Sequence, residues 1–297
     1  MDAPRPRRDA GYVALGDSYA AGVGADPSTW DAASGECRRS REAWPALLRT
    51  ELATRTDASV AASAGDGAFT FAACTGAVAS LANRKQCRTT TQGILRRKTV
   101  TECFPEPPSL RVQLAQASSE LATAALVTVS VGGNDLHFAD IITACVRGLR
   151  SCKGDIDHAR GKIGALEATL AELFTEVRAA APQARIVVTG YPELVRAPYL
   201  GGLPGLGQRY AIDASEVHAL RVGVAELGAT IKRACGTVGF TFVDMQPAFV
   251  GKACAGELEL INCAVDLTGP GRPRSFHPDA GGNAAYAAVV LAAVTAL

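Results

Sequence analysis

Five short runs of apolar and β-branched residues recur along the chain, with longer stretches of helical periodicity between them. They fall at residues 11–15 (Gly-Tyr-Val-Ala-Leu), 69–73 (Phe-Thr-Phe-Ala-Ala), 124–131 (Ala-Ala-Leu-Val-Thr-Val-Ser-Val), 185–190 and 238–244. Runs this short and this apolar predict strands buried on both faces. The stretch from Trp44 to Thr54 sets Trp44, Leu47, Leu48 and Leu52 on one helical face. Leu110 to Leu121 is amphipathic, and Ser215 to Cys235 reads as another helix. Asp155 to Ala180 reads as the longest helix, with Ile163, Leu166, Leu170, Leu173, Phe174 and Val177 in register until Ala181-Pro182 stops it. The Ala-rich segment from Asn283 to Leu297 reads as a packed terminal helix. Strands alternating with helices predict an α/β fold, a parallel sheet covered on both faces with right-handed crossovers.

Two stretches break the rhythm. Residues 83–109 are polar and basic, with Cys87 and Cys103 near their ends, and read as an excursion stapled by those two cysteines. Residues 196–210 are rich in Gly and Pro and carry Tyr199, Leu200, Leu203 and Leu206, so they read as a surface loop able to wall a cleft. No internal repeat or low-complexity linker divides the chain. The expectation is one domain over residues 11–297, preceded by a loosely ordered basic terminus at residues 1–10.

Composition narrows the class. With 297 residues, 48% hydrophobic and 20% charged, the chain is globular. A net charge of +1 gives no electrostatic case for nucleic acid or an acidic membrane surface. No apolar run reaches the ~18 residues of a membrane span. Nine cysteines, none in a C-x-x-C pair, point to disulfides in an exported protein rather than to zinc or redox chemistry. Residues 1–10 hold no apolar core of a secretory leader, so the leader is expected to be absent from this sequence. No ligand cluster suggests a metal, no cofactor motif is present, and a P-loop is excluded because no Gly-Lys-Ser/Thr follows the glycines.

The chemistry concentrates where strands end. The first strand runs into Gly16-Asp17-Ser18-Tyr19-Ala20-Ala21-Gly22. A serine at a strand-to-helix turn has its own N–H near a helix N-terminus, where it can stabilise the oxyanion the serine creates. The hydroxyl needs a base. Of the four histidines, His158 and His218 lie on polar-faced helical stretches and His137 follows Gly132-Gly133-Asn134-Asp135. His277, in Ser275-Phe276-His277-Pro278 before the last helix, is fixed as a base must be. Asp279 reads first as the N-cap of that helix. Asn134 can donate a side-chain N–H to an oxyanion, and Gly76 at the end of the second strand can donate a backbone N–H. All of these groups lie at strand carboxyl ends, where open α/β sheets bind ligands. Each element also has an ordinary reading: Gly-Asp-Ser and Gly-Gly-Asn-Asp are common turns, and a lone histidine is more often structural. The ordered set carries the functional reading.

That set resembles the SGNH (GDSL) hydrolase family, and within it the secreted esterase, lipase and phospholipase branch of actinomycetes. The blocks are Gly16-Asp17-Ser18, Ala73-Cys74-Thr75-Gly76-Ala77, Gly132-Gly133-Asn134-Asp135 and Ser275-Phe276-His277-Pro278. The resemblance implies a three-layer α/β/α sandwich with a five-stranded parallel sheet, flavodoxin-like in order. It also implies a serine esterase with Ser18 as nucleophile, His277 as base, and Ser18, Gly76 and Asn134 as the oxyanion hole. One position departs from the family pattern. The family's acid stands three residues before the histidine, where this chain has Arg274, whose side chain accepts no hydrogen bond. The expectation is therefore a Ser18–His277 dyad, oriented by the main-chain carbonyl of Arg274 or Ser275, with Asp266 and Asp279 as the alternatives that would complete a triad. For the disulfides the resemblance implies Cys37–Cys74, Cys145–Cys152 and Cys235–Cys254, leaving Cys263 free; Cys254–Cys263 is the rival pairing. The expected partner is a small-molecule or lipid ester substrate, and the protein is expected to be a monomer without stable membrane insertion. An acyltransferase on the same residues and a non-catalytic lipid- or carbohydrate-binding relative are the alternatives. The apolar stretch 199–206 favours acyl chains. The basic residues Arg84, Lys85, Arg88, Arg96, Arg97 and Lys98 read as a solvated face, with an anionic headgroup as the second reading.

Overall fold

The computed structural model describes residues 11–55, 67–80, 86–92, 98–104, 109–147, 151–201, 209–263 and 274–296. Its strands are β1 (Tyr12–Gly16), β2 (Phe69–Phe71), β3 (Gln86–Gln92), β4 (Lys98–Phe104), β5 (Leu126–Ser130), β6 (Arg185–Thr189), β7 (Tyr199–Gly201), β8 (Arg209–Ile212) and β9 (Thr241–Val243). Its helices are α1 (Ser18–Ala21), α2 (Trp44–Leu52), α3 (Leu110–Gln116), α4 (Ser118–Thr123), α5 (Phe138–Arg147), α6 (Lys153–Arg160), α7 (Ile163–Ala180), α8 (Ala214–Val238) and α9 (Ala280–Thr295).

Five strands form one parallel sheet in the order β2-β1-β5-β6-β9. Every residue of β1 and β5 is buried, as their apolar runs require. Helices α2 and α9 cover one face, while α3, α4, α7 and α8 cover the other. Trp44, fully buried, stacks on Tyr286 with ring centroids 6.0 Å apart, and its backbone N–H donates to Asn283 Oδ1 at 3.0 Å. Truncating such a tryptophan typically costs about 3–5 kcal/mol.

Several boundaries differ from the sequence pattern for local reasons. The helix expected over 155–180 is two, α6 and α7, because Gly161 and Lys162 turn back on Asp157 and Ala159 instead of continuing the ladder. The longest helix is instead α8, whose Asp213 and Glu216 form a capping box and whose Gly239 closes it at φ +70°. The helix expected over 110–121 breaks at Ala117 into α3 and α4. The stretch 196–210 holds an antiparallel pair, β7 and β8, with residues 202–208 outside the described set. In the excursion, β3 and β4 form an antiparallel ladder with Cys87 opposite Cys103. Their side chains, the basic residues 84, 85, 96 and 97, and the terminus 1–10 lie outside what is described.

Cys37–Cys74 and Cys145–Cys152 are bonded, but the expected Cys235–Cys254 pair is not. Cys254 instead joins Cys263, nine residues on, and Cys235 is a free thiol. Cys235 faces the core from α8, where burial pushes its thiol up to about 12. Cys254 and Cys263 lie on one loop tied down at both ends, at Val195 and at Pro278. Spacing could not decide between these pairings; the inward face of α8 does.

Candidate active site

Ser18 is the first residue of α1, directly beyond β1. The turn is tight enough that only glycine fits before it. Gly16 adopts φ +145°, and a Cβ there would lie 2.7 Å from the Ser130 carbonyl. Gln113, fully buried on α3, clamps the same residue from both sides: Gly16 N–H donates to its Oε1 and its Nε2 donates to Gly16 O, each at 2.8 Å.

Asp17 caps α1 from beneath. Its Oδ1 accepts the Tyr19 backbone N–H at 3.0 Å and the Ser130 hydroxyl at 3.1 Å, and its Oδ2 accepts the Tyr191 hydroxyl. Burial raises this carboxyl to about 6, against the lowering effect of those three donors.

His277 reaches Ser18 from the turn before α9. Its Nε2 lies 2.7 Å from Ser18 Oγ, and its Nδ1 lies 2.9 Å from the Ser275 carbonyl. Donation from Nδ1 to that carbonyl fixes the tautomer whose Nε2 accepts from the serine. The Arg274 carbonyl is used otherwise, taking the His277 backbone N–H at 3.1 Å, and the Arg274 guanidinium donates to Gly24 O at 3.2 Å. Asp279 caps α9 through Gly282, and Asp266 lies outside the described residues. The imidazole packs on Tyr19, centroids 4.9 Å apart, and burial holds it down at about 4 while the Ser275 carbonyl raises it.

The turn around His277 is strained. Phe276, 2% exposed, has φ +60°, a left-handed conformation that bulky residues avoid. Its carbonyl accepts the Tyr19 hydroxyl at 2.7 Å, and its N–H donates to Asn262 O at 2.9 Å. Tyr19 therefore ties the helix that starts at Ser18 to the turn that carries His277.

The two remaining blocks meet Ser18 at the same sheet edge. Cys74 N–H donates to Gly16 O at 2.9 Å, holding the 73–77 loop beside the end of β1. The Cys37–Cys74 bond, with Thr75 Oγ1 donating to Cys37 O at 2.9 Å, braces that loop from outside. Asn134 Nδ2 donates to Ala77 O at 3.0 Å. An amide nitrogen carries two hydrogens, so one remains for a ligand. Asp135 accepts the Ala79 and Ser80 N–H groups at 2.9 and 3.0 Å, and burial raises its carboxyl. The backbone hydrogen bonds of the described residues use neither the Ser18 nor the Gly76 N–H. His158 and His218 are exposed on α6 and α8, and His137 is exposed after the Asn134 turn.

The sequence reading missed four residues here: Tyr19, Gln113, Tyr191 and Asn262. Only Tyr191 left a signal, because Gly190-Tyr191-Pro192 ends the fourth apolar run at the edge where the other blocks gather.

Residues 14–285 match the GDSL-like Lipase/Acylhydrolase family. Lipase 1 of Streptomyces coelicolor is 31% identical over 288 residues, covering 95% of this chain and 85% of that protein. The crystal structure of the extracellular lipase from Streptomyces rimosus aligns with a TM-score of 0.68 at 28% identity, over 96% of this chain and 99% of that one. Phospholipase A1 from Streptomyces albidoflavus NA297 aligns with a TM-score of 0.66 at 30% identity, over 95% and 98%.

Proposed function

The chain belongs to the GDSL-like lipase/acylhydrolase family and is a carboxylic ester hydrolase, and from that premise we propose that it works through an acyl-enzyme on Ser18 with His277 as general base, a dyad oriented by a main-chain carbonyl. The observation that carries the reading is the line from the Ser275 carbonyl through Nδ1 and Nε2 of His277 to Ser18 Oγ, at 2.9 and 2.7 Å. His277 takes the Ser18 proton as Oγ attacks the ester carbonyl, and the Ser18 and Gly76 N–H groups with the Asn134 amide receive the oxyanion. The imidazolium then gives its proton to the leaving alcohol. Water, deprotonated by the same imidazole, attacks the acyl-enzyme and releases the acid. A carbonyl behind Nδ1 fixes the tautomer as a carboxylate would but stabilises the imidazolium less, so this reading places more of the load on the oxyanion donors.

The substrates are esters of acyl chains. The named activities of the relatives, a lipase and a phospholipase A1, support that class. Three disulfides among the described residues support an exported protein. Ser18→Ala should lose turnover of nitrophenyl esters by about a millionfold and lose covalent labelling by a serine-directed phosphonate. Labelling that persists at another serine would overturn the reading. A nitrophenyl chain-length series run beside phospholipid vesicles then ranks the acyl and headgroup preferences.

A further inference from the structure

Two turns must be held in mutual register for the proposed chemistry, and one side chain touches both. Tyr191 follows β6 and is 4% exposed. Its hydroxyl donates to Asp17 Oδ2, the carboxylate beneath Ser18, and accepts the Gly133 N–H at 3.0 Å, one residue before Asn134. A phenol hydroxyl has one hydrogen to give and lone pairs to receive, so both bonds form at once. The neighbours enforce this arrangement. Tyr19 meets the Tyr191 ring edge-on with centroids 5.0 Å apart. The Tyr286 hydroxyl donates to Gly190 O at 3.1 Å and so fixes the backbone that presents the ring. Glycine at 133 gives the contact room, because a Cβ there would stand 3.2 Å from Tyr191 Cζ and 3.3 Å from its oxygen, and the ring would have to give by a few tenths of an ångström. Burial and the adjacent Asp17 push the phenol far up, so it remains a donor across the working pH range.

We propose that Tyr191 is a positioning residue that sets the Asn134 oxyanion donor against Ser18, by bonding simultaneously to the carboxylate that caps the nucleophile helix and to the backbone that carries Asn134. The inference rests on the Ser18 reading above. An oxyanion donor acts only within about 2.7–3.1 Å of the position where charge develops. Ground-state binding of the ester does not need that precision, so the loss belongs in kcat.

Steady-state hydrolysis of a short-chain nitrophenyl ester by the full chain tests this. Tyr191→Phe should lower kcat by about ten- to a hundredfold and leave KM within about twofold, since misplacement by an ångström costs up to about that much. Asn134→Ala alone should cost about a hundredfold or more. In that background Tyr191→Phe should cost less than about twofold, because the donor it aims is gone. A Tyr191→Phe loss that is undiminished beside Asn134→Ala, or that appears in KM, or that is absent, would overturn the proposal. If Tyr191→Phe does not fold, Asp17→Asn serves in its place. It keeps an acceptor for the Tyr19 N–H, weakens the one offered to Tyr191, and should show a smaller kcat loss with the same dependence on Asn134. Turnover that survives Ser18→Ala would instead refute the nucleophile assignment itself, an outcome distinct from any of these.

Discussion

The turn that presents Ser18 and the turn that presents His277 solve one problem by opposite means. The serine turn rests on a buried carboxylate, Asp17, with donors from Tyr19, Ser130 and Tyr191. In the histidine turn the groups that meet the imidazole and its neighbours among the described residues are neutral or basic: Ser275 O meets the imidazole, Tyr19 holds Phe276 O, and Arg274 points away to Gly24. The buried carboxylate among these groups stands beneath Ser18 rather than beside the imidazole. Burial then moves the two groups in opposite directions, Asp17 up to about 6 and His277 down to about 4. The difference teaches that orientation and charge stabilisation are separable. The histidine turn supplies orientation through main-chain carbonyls, and the buried Asp17 carboxylate acts on the helix N-terminus and the tyrosine network.

The largest effect that would break this comparison is in kcat. His277→Ala should remove about 10⁴-fold or more of turnover, whereas Asp17→Asn should remove about tenfold, because the proposed mechanism moves its protons through the histidine and not through the carboxylate. Equal losses would mean that the carboxylate takes part in the chemistry.

The pH response sharpens the same contrast. As the proposed base, His277 must be neutral to accept the serine proton, so kcat/KM should hold from neutral pH to about 5 and fall on an acid limb near 4 rather than near the usual 6.5. A limb near 6 that vanishes in Asp17→Asn would put control at the serine turn instead.

Stability carries a second signature, and its sign differs between the two turns. Between about pH 4 and 6 folded Asp17 holds a proton that the unfolded chain has lost, so its contribution falls as pH rises. Over the same window folded His277 lacks a proton that the unfolded chain holds, so its contribution rises with pH. The two nearly cancel in the native protein. Urea midpoints should show Asp17→Asn gaining stability with pH and His277→Gln losing it, each by roughly 1 kcal/mol per pH unit. Parallel slopes in the two variants would contradict the opposed shifts.

The smallest effect concerns Arg274. Its guanidinium bonds Gly24 O and leaves the imidazole to Ser275, so Arg274→Ala should keep kcat within about threefold. A hundredfold loss would give the side chain a part in the chemistry that this geometry does not provide.

Much of the site was legible in the chain because its parts are local. A glycine forced into the turn after β1, a serine opening a helix, an asparagine after Gly-Gly and a histidine before proline are each set by a few neighbouring residues. The five apolar runs likewise fixed the sheet, since a strand buried on both faces has few other compositions. The network that joins these parts was not legible. Gln113 is a polar residue on an amphipathic helix, and nothing nearby says that it faces inward to clamp Gly16, 97 positions away in the chain. Tyr191 and Asp17 are 174 positions apart, and a hydroxyl between a carboxylate and an N–H leaves no periodic trace.

By itself, then, the sequence determined an α/β sheet and the identities of the residues gathered at its carboxyl edge, because strand burial, turn chemistry and helix caps are short-range properties. Tertiary structure decided everything that depends on reach. It selected Ser275 rather than Arg274 behind the imidazole, Cys263 rather than Cys235 as the partner of Cys254, and Tyr191 as the link between the serine and asparagine turns. Each of those choices turns on a few ångströms between groups distant in the chain or competing within one turn, and only packing sets distances of that size.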